Sequence, residues 1–448
     1  MIFSRKKVVE EIEEVEEDQS IKQVLAFPDR SGKFEYKLDH DEASSSKLDG
    51  VTSMKSDTGV SKNYKSSKPK PTPASAKSEQ KESTMPSKVN DVESGAKSWP
   101  KKLRAKILST LDQPLQIEQG SKFLSEHSWP EGLKQTVFKS CKKIVMRFFI
   151  VDDSGSMVTN DGQRIVQNDG VYKVVKCSRW CELSECCNFL ANLSESLRAP
   201  SEFRLLNGAD PIITGIGDDS GDTIAFLREV LNDPPAGKTP LCSHINCIVA
   251  EISSIADTLR ANKQKVAVII CTDGESSDGN VASALKPLTY LPVLVILRLC
   301  TSEDKVVDYW NNIDSQLELD IDVLDDQLGD ASEVARTNKW LTYGEPLHRV
   351  REFGASMKVL DIIDESALSS EQMRVICGYL FLGGNVDQLP HPGADWNAFF
   401  NKIKVICALE PEVFCPTEKK LRPWVNLMEM QKAYGLVEPK SSKSCLLM

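Results

Sequence analysis

The chain has 448 residues and a mass of 49.8 kDa, which is too long for one domain of roughly 150 residues. Hydrophobic residues make up 40% and charged residues 27%, a balance typical of globular proteins and not of fibres or membrane proteins. The longest apolar runs, such as residues 291–297, fall short of the roughly 18 residues that a membrane-spanning helix needs. The acidic residues 10–18 leave no room for the apolar segment of a signal peptide, so we expect a cytoplasmic protein.

Charge is distributed unevenly along the chain. Residues 51–104 hold twelve Lys and Arg against five Asp and Glu, so this stretch is +7 within a chain of net charge −10. The rest of the chain therefore has a net charge of −17. This acidic charge argues against nucleic acid as the main ligand, because phosphate binding requires a basic face. The basic stretch is compatible with contacts to RNA or anionic lipid, but such a charge run is more often a solvated segment.

The thirteen cysteines are expected to be reduced, because most lie within apolar runs of an intracellular chain. Four of them, Cys177, Cys181, Cys186 and Cys187, cluster in a stretch that has a helical pattern. No second Cys or His pair follows at the spacing of a zinc site, so core packing is favoured over metal binding.

Six segments follow from the shifts in composition. Residues 31–105 are rich in Ser, Lys and Pro and poor in apolar side chains, so they cannot bury enough surface to order themselves. The predicted organisation is a short acidic amphipathic helix (1–30), a disordered linker (31–105), a helical lead-in (106–142), an α/β domain (143–340), a helical appendage (341–440) and a flexible tail (441–448).

The α/β domain is predicted to be doubly wound around a mostly parallel sheet, because apolar runs of strand length alternate with helical patterns. The predicted strands are residues 144–151, 202–206, 211–214, 266–271, 292–297 and 321–324. The predicted helices are residues 172–197, 223–231, 241–259, 281–285, 303–317 and 328–336, followed by 370–382, 396–409 and 424–434 in the appendage.

Hard oxygen ligands follow two of these strands and precede one helix. Asp152, Ser154 and Ser156 alternate directly after the first strand, Thr239 lies in a Gly-x-Thr-Pro-Leu segment before a helix, and Asp273 follows the strand 266–271. Ligands of open α/β sheets bind outside the carboxyl ends of the strands, so these segments should converge. Two carboxylates and three hydroxyls suit Mg²⁺ or Mn²⁺, and a hydroxyl-rich set leaves the ion electron-poor and open to an external ligand.

This ordered set closely resembles the metal-ion-dependent adhesion site of the von Willebrand factor A domain, over about residues 143–340. The resemblance implies a Rossmann-like fold in which Ser154, Ser156 and Thr239 bind the metal directly. It implies that Asp152 and Asp273 bind it directly or through water, and that a carboxylate of a protein partner completes the coordination. The implied function is metal-dependent protein binding in an intracellular scaffold, without catalysis.

One residue departs from that pattern. Asp153 occupies a position where the family usually has a small or uncharged residue, and its carboxylate is expected either to strengthen metal binding or to repel an acidic partner. Glu275 and Asp278 add to the same acidic rim.

Two alternatives to an adhesion site remain. The same oxygens could serve a metal-dependent hydrolase, although the five histidines, which include His40 and His391, are scattered and provide no evident general base. The oxygens could instead serve only as caps and turn acceptors in a purely structural site. No nucleotide-binding glycine motif follows a strand.

The last four residues form a C-a-a-X box, Cys445-Leu446-Leu447-Met448, whose terminal Met favours a farnesyl group on Cys445. A single short lipid binds membranes only marginally, so we expect a protein divided between the cytoplasm and the cytoplasmic face of a membrane. The sequence leaves the oligomeric state and the identity of the partner open.

Overall fold

A computed structural model describes residues 97–435, except for residues 112, 169, 209, 218–219, 318, 320 and 356. The predicted amphipathic helix (1–30), nearly all of the linker and the tail with Cys445 lie outside the described residues. The chain in the described part is an α/β fold whose helices flank a central six-stranded sheet.

The strands are β1 (Ile144–Val151), β2 (Gly162–Asn168), β3 (Val171–Cys177), β4 (Ser201–Leu205), β5 (Ile212–Thr214), β6 (Lys265–Thr272), β7 (Val293–Leu299), β8 (Ile321–Leu324), β9 (Val413–Cys415) and β10 (Lys420–Arg422).

The helices are α1 (Lys101–Thr110), α2 (Ile117–Glu126), α3 (Glu131–Lys143), α4 (Arg179–Leu197), α5 (Ser220–Asn232), α6 (Leu241–Ser253), α7 (Ala256–Ala261), α8 (Val281–Leu285), α9 (Asp304–Gln316), α10 (Gln327–Thr337), α11 (Glu345–Glu352), α12 (Ser370–Leu382), α13 (Trp396–Cys407) and α14 (Leu427–Tyr434).

The central sheet has the strand order β5-β4-β1-β6-β7-β8. All neighbouring pairs are parallel except β4 with the short edge strand β5. This is the doubly wound order, in which the direction of winding reverses between β1 and β6. Connections that leave these two strands pass to opposite faces of the sheet, and a crevice opens between their carboxyl ends. The predicted mostly parallel sheet is therefore confirmed.

Alternate residues of β1 face two separate hydrophobic clusters, because side chains alternate across a sheet. Phe149 and Val151 join the cluster that contains α3, α4 and the C-terminal helices. Phe148 and Ile150 join the cluster that contains α6, α7 and α9. Every residue of β1 is buried, which explains its continuous apolar sequence.

The predicted helix over residues 172–197 is wrong in its first part. Residues 171–177 form β3, which pairs antiparallel with β2, and the helix α4 begins only at Arg179. The strand β3 is exposed or half-buried along its whole length, and a two-residue connection with Gly170 at a φ of 74° joins the hairpin. The predicted helix over 241–259 is likewise divided into α6 and α7, and the hairpin β9–β10 was not predicted.

The helices after residue 340 share a hydrophobic cluster with one face of the sheet. The helix α3 approaches α12 so closely that a Cβ atom on Gly132 would lie 2.3 Å from the backbone nitrogen of Leu382. Arg147 of β1 donates from Nε to the carbonyl of Phe353 at 2.7 Å, and its guanidinium stacks on the Phe353 ring. The sheet and these helices therefore pack as one body within the described residues, while the segment boundaries drawn from composition stay predictions.

None of the helices in the part of the chain that the structure describes is both long enough and apolar enough to cross a bilayer.

Candidate metal centre

The carboxylate of Asp152 lies at the carboxyl end of β1 and is fully buried. Its Oδ2 accepts a hydrogen bond from Thr272 Oγ1 at 2.6 Å, and its Oδ1 accepts one from the Ser154 amide at 2.9 Å. Burial raises the pKa of Asp152, and the hydrogen bonds from Thr272 and Ser154 act against this rise. Asp152 thus holds the loop after β1 against the end of β6.

Three side-chain oxygens from the two loops form a chain beside Asp152. Ser154 Oγ lies 3.0 Å from Ser156 Oγ, and Ser156 Oγ donates to Asp273 Oδ1 at 2.8 Å. Ser156 belongs to a short 3₁₀ helix over Gly155–Val158, which turns its hydroxyl toward β6. Adjacent oxygens around an octahedral Mg²⁺ are roughly 2.9 Å apart, given metal–oxygen distances near 2.1 Å. The spacing of these oxygens therefore fits the edges of such an octahedron as well as it fits hydrogen bonds.

The segment with Thr239 is attached to both of the other loops through backbone hydrogen bonds. Gly155 donates to the carbonyl of Gly237 at 3.2 Å, and Ser277 donates to the carbonyl of Thr239 at 2.8 Å. The Thr239 amide in turn donates to Ser277 Oγ at 3.2 Å. The structure thus brings the three predicted segments together, with Thr239 half-buried between them.

Asp153 points away from the other oxygens. Its Oδ1 accepts hydrogen bonds at 2.8 Å from both the backbone amide and the side-chain amide of Asn207. Asn207 also binds the Lys238 carbonyl at 2.9 Å, so Asp153 anchors the segment that carries Thr239. Burial raises the pKa of Asp153, and the Asn207 hydrogen bonds oppose that rise. The side chain therefore positions a loop, a role that its place beside Asp152 in the sequence did not indicate.

Asp278 also has a structural contact. Its carboxylate accepts hydrogen bonds from the amides of Cys242 and Ser243 at 2.9 Å each, which caps the first turn of α6. Glu275 is exposed and remains on the rim of the crevice.

The main feature that sequence reasoning missed is Arg179, the first residue of α4. Its side chain is 4% exposed, and Nη1 donates to Asp273 Oδ2 at 2.9 Å. The same guanidinium binds Asp161 at 2.5 Å and Glu303 at 2.6 Å. Asp161, followed by Glu303 and Asp273, raises the pKa of Arg179 although burial opposes this. The predicted helix over residues 172–197 has Arg179 in its interior, and no sequence signal places this arginine at the end of β6.

The arginine leaves Asp273 with one oxygen for a cation and one engaged in an ion pair. Asp152, the second carboxylate of the candidate set, is buried and accepts hydrogen bonds from two uncharged donors, the Ser154 amide and the Thr272 hydroxyl. Within the described residues, no group of three or more His, Cys, Asp or Glu side chains could hold a metal. The candidate site does not require three such side chains, because its five ligands are two carboxylates and three hydroxyls. These residues fit a small, hard cation that keeps several waters, and Arg179 competes with it for Asp273.

The remaining predicted features are located as follows. His244 and His348 are buried, and His127 and His391 lie away from the oxygen cluster in contact with Phe123 and Glu371. Cys186 and Cys187 are buried in the core, as expected, whereas Cys177 ends the strand β3 and Cys181 lies in the first turn of α4.

No protein-family model matches the chain, and no curated protein matches it.

Proposed function

We propose that the chain is a metal-dependent protein-binding scaffold of the von Willebrand factor A type, and that Mg²⁺ or Mn²⁺ occupies the cluster of Asp152, Ser154, Ser156, Thr239 and Asp273. The observation that carries this proposal is the convergence of three loops at the crevice between β1 and β6. There Ser154, Ser156 and Asp273 line up at 3.0 and 2.8 Å. The hydroxyls of Ser154, Ser156 and Thr239 would hold the ion. Because hydroxyls are weak donors, the bound ion would remain electron-poor. A carboxylate of the partner would then bind at the open face.

One observation favours a second candidate, a scaffold whose oxygen cluster is purely structural and binds no metal. The buried ion pair between Arg179 and Asp273 already places a positive charge beside the oxygens. In that case the hydroxyls and carboxylates only close the loops, and partner binding uses another surface. The two candidates differ in whether a chelator changes the affinity for a partner.

A pull-down from lysate of the native cell distinguishes them. The full chain is used as bait with Mg²⁺, with Mn²⁺ and with excess EDTA, and the Ser154→Ala/Ser156→Ala double variant is compared with the exposed control Ser332→Ala. A metal-dependent scaffold retains its partner with metal and releases it in EDTA, and only the double variant loses it. A partner retained at full strength in EDTA and by the double variant refutes the metal-dependent site and supports the purely structural one.

We also propose that Cys445 is farnesylated and that the protein divides between the cytoplasm and the cytoplasmic face of a membrane. The support is the C-a-a-X sequence, with Lys440 and Lys443 close upstream. Each of these lysines contributes on the order of 1 kcal/mol near an anionic leaflet. Mass spectrometry of the C-terminal peptide from the native cell tests the modification, and an unmodified Cys445 refutes it. The membrane-bound share is expected to fall with salt and in Cys445→Ser.

A further inference from the structure

The helix α13 and the turn that follows it have an exposed face that combines apolar and basic side chains. Val405 is 62% exposed and Leu409 is 79% exposed. We propose that this face, together with Lys402 and Lys404, docks on the anionic surface of a membrane beside the lipid on Cys445. The position of that lipid rests on the proposed farnesylation, whereas the docking face does not depend on it.

The buried and exposed sides of α13 are clearly separated. The buried side consists of residues spaced three and four apart, which join the cluster that contains α3 and α4, namely Trp396, Phe399, Ile403 and Cys407. With 3.6 residues per turn, Val405 lies on the side opposite to Ile403. The Leu409 amide donates to the Ile406 carbonyl at 3.0 Å, so the chain still turns as in a helix there. Val405 and Leu409, four residues apart, therefore point outward on the same side.

The charge of this helix is entirely positive. Residues 396–409 contain Lys402 and Lys404 and no Asp or Glu. Both lysines are exposed, and they lie on either side of Val405 around the helix. Lysines in this arrangement let an apolar strip enter the headgroup region while their ammonium groups reach lipid phosphates. The next carboxylate, Glu410, is half-buried and accepts a hydrogen bond from the Glu131 amide of α3 at 3.1 Å.

The described part of the chain ends next to this helix. Trp396 Nε1, at the start of α13, donates to Gln431 Oε1 of α14 at 2.7 Å, and the described residues end at Gly435. Val405 lies about 14 Å along the helix axis from Trp396. Cys445 follows Gly435 by ten residues, which span at most roughly 35 Å. The tail is therefore long enough for a lipid on Cys445 and the exposed side of α13 to contact the same membrane.

A membrane fits this face better than a second copy of the chain does. A symmetric contact between two copies would place Lys402 and Lys404 against the same lysines, and like charges repel. An anionic leaflet instead offers phosphates to the lysines and an apolar boundary to Val405 and Leu409. A single farnesyl group binds membranes only marginally, so this face would supply the second contact that stable attachment needs.

Vesicle sedimentation of the full chain, purified from its native cell, tests the basic part of the face. The vesicles contain phosphatidylcholine alone or phosphatidylcholine with phosphatidylserine. We expect Lys402→Gln/Lys404→Gln to bind the phosphatidylserine vesicles at least about tenfold more weakly than wild type, because both lysines act near the anionic leaflet. The control Lys263→Gln/Lys286→Gln removes the same charge from exposed positions after α7 and α8, which pack on the other face of the sheet, and should bind like wild type.

A second pair of variants tests the apolar part. Val405→Gln/Leu409→Gln is expected to lose at least about tenfold in affinity for the same vesicles, since two apolar side chains no longer enter the boundary. Tyr290→Gln, which changes an exposed aromatic side chain after α8, is the control and should bind like wild type. All substituted side chains are exposed, so the fold does not depend on them.

The contributions of the lipid and of the face are separated by repeating these comparisons in Cys445→Ser. The docking face predicts the same order of affinities at weaker overall binding. An unmodified Cys445 in the native protein would refute the farnesylation and leave the face to be decided by the variants. Equal vesicle binding by wild type and both double variants, or no binding of wild type to phosphatidylserine vesicles, would overturn the docking face. The exposed side chains would then belong to a contact with a second copy or with a protein partner.

Discussion

Replacing Glu352 by Gln should strongly destabilise the protein. This carboxylate is 1% exposed and ends α11, where it accepts a hydrogen bond from Arg349 Nη1 at 2.8 Å. It also lies 3.4 Å from Arg298 Nε and 3.3 Å from His348 Nε2. Burial alone would raise the pKa of Glu352, but Arg349, His348 and Arg298 hold it well below its usual range.

The magnitude follows from what the substitution leaves behind. Gln keeps the shape of Glu352 but removes its charge, so buried cations from α11 and β7 lose a shared counter-ion. Breaking a buried pair by removing one partner costs about 3–5 kcal/mol. Glu345→Gln is the control, because Glu345 binds the same Arg349 at 3.0 Å from a side chain that is 37% exposed. Because Glu345 is exposed to water and Arg349 keeps Glu352 as a partner, losing this pair should cost at most about 1 kcal/mol.

Urea unfolding at neutral pH, followed by tryptophan fluorescence, measures both variants against wild type. We expect a loss of about 3–5 kcal/mol in the free energy of unfolding for Glu352→Gln and at most about 1 kcal/mol for Glu345→Gln. If Glu352→Gln costs no more than the control, the cations do not depend on this carboxylate and the reasoning is wrong.

Two further predictions concern stability. Burial would lower the pKa of His348, but Glu352 and Asp330 raise it to about 9. The protonated imidazole therefore stabilises the fold fully below a pH of about 6.5, the pKa in the unfolded chain. This contribution to the free energy of unfolding is lost as the pH rises through 9. The stability difference between wild type and His348→Gln should shrink over that window in urea titrations, and a constant difference would contradict the assignment. Gly132→Ala should cost about 1–3 kcal/mol, because the new Cβ meets the backbone of α12 at 2.3 Å, whereas Gly274→Ala, with no atom within 4 Å, should change thermal stability little. Equal effects of the two glycine substitutions would show that α3 and α12 are not closely packed.

The central strands could be predicted from the sequence because they are buried on both faces. The predicted residues 144–151 match β1, and 266–271 lies within β6. The predicted residues 321–324 also match a strand, although β8 is at the edge of the sheet and is mostly half-buried. Continuous apolar runs of this length are typical of parallel strands that helices cover on both faces. The order of the three oxygen-bearing segments also sufficed to predict their convergence, since the ends of parallel strands meet at one edge of a sheet.

The hairpin β2–β3 could not be separated from α4 by apolar periodicity alone. Val171, Lys173 and Lys176 are exposed, and Tyr172 and Val174 are only half-buried, so no continuous apolar run marks the strand. That error concealed the start of α4 at Arg179. The ion pair between Arg179 and Asp273 joins residues 94 positions apart, and such a contact depends on tertiary packing that a single sequence does not reveal.

The sequence alone also does not reveal the roles of Asp153 and Asp278. Asp153 directly follows Asp152 and Asp278 lies five positions after Asp273, yet one binds Asn207 and the other caps α6. Neighbouring residues in a loop point in different directions, so proximity in the sequence does not establish that side chains share a site.

Calorimetric titration of the full chain with Mg²⁺ tests the central claim most directly. Wild type and the control Ser332→Ala are expected to bind one ion. Asp152→Asn should bind at least about tenfold more weakly, because the buried carboxylate that balances the ion is lost. Identical titrations of wild type and Asp152→Asn, or the absence of binding in wild type, would contradict a metal centre at the ends of β1 and β6.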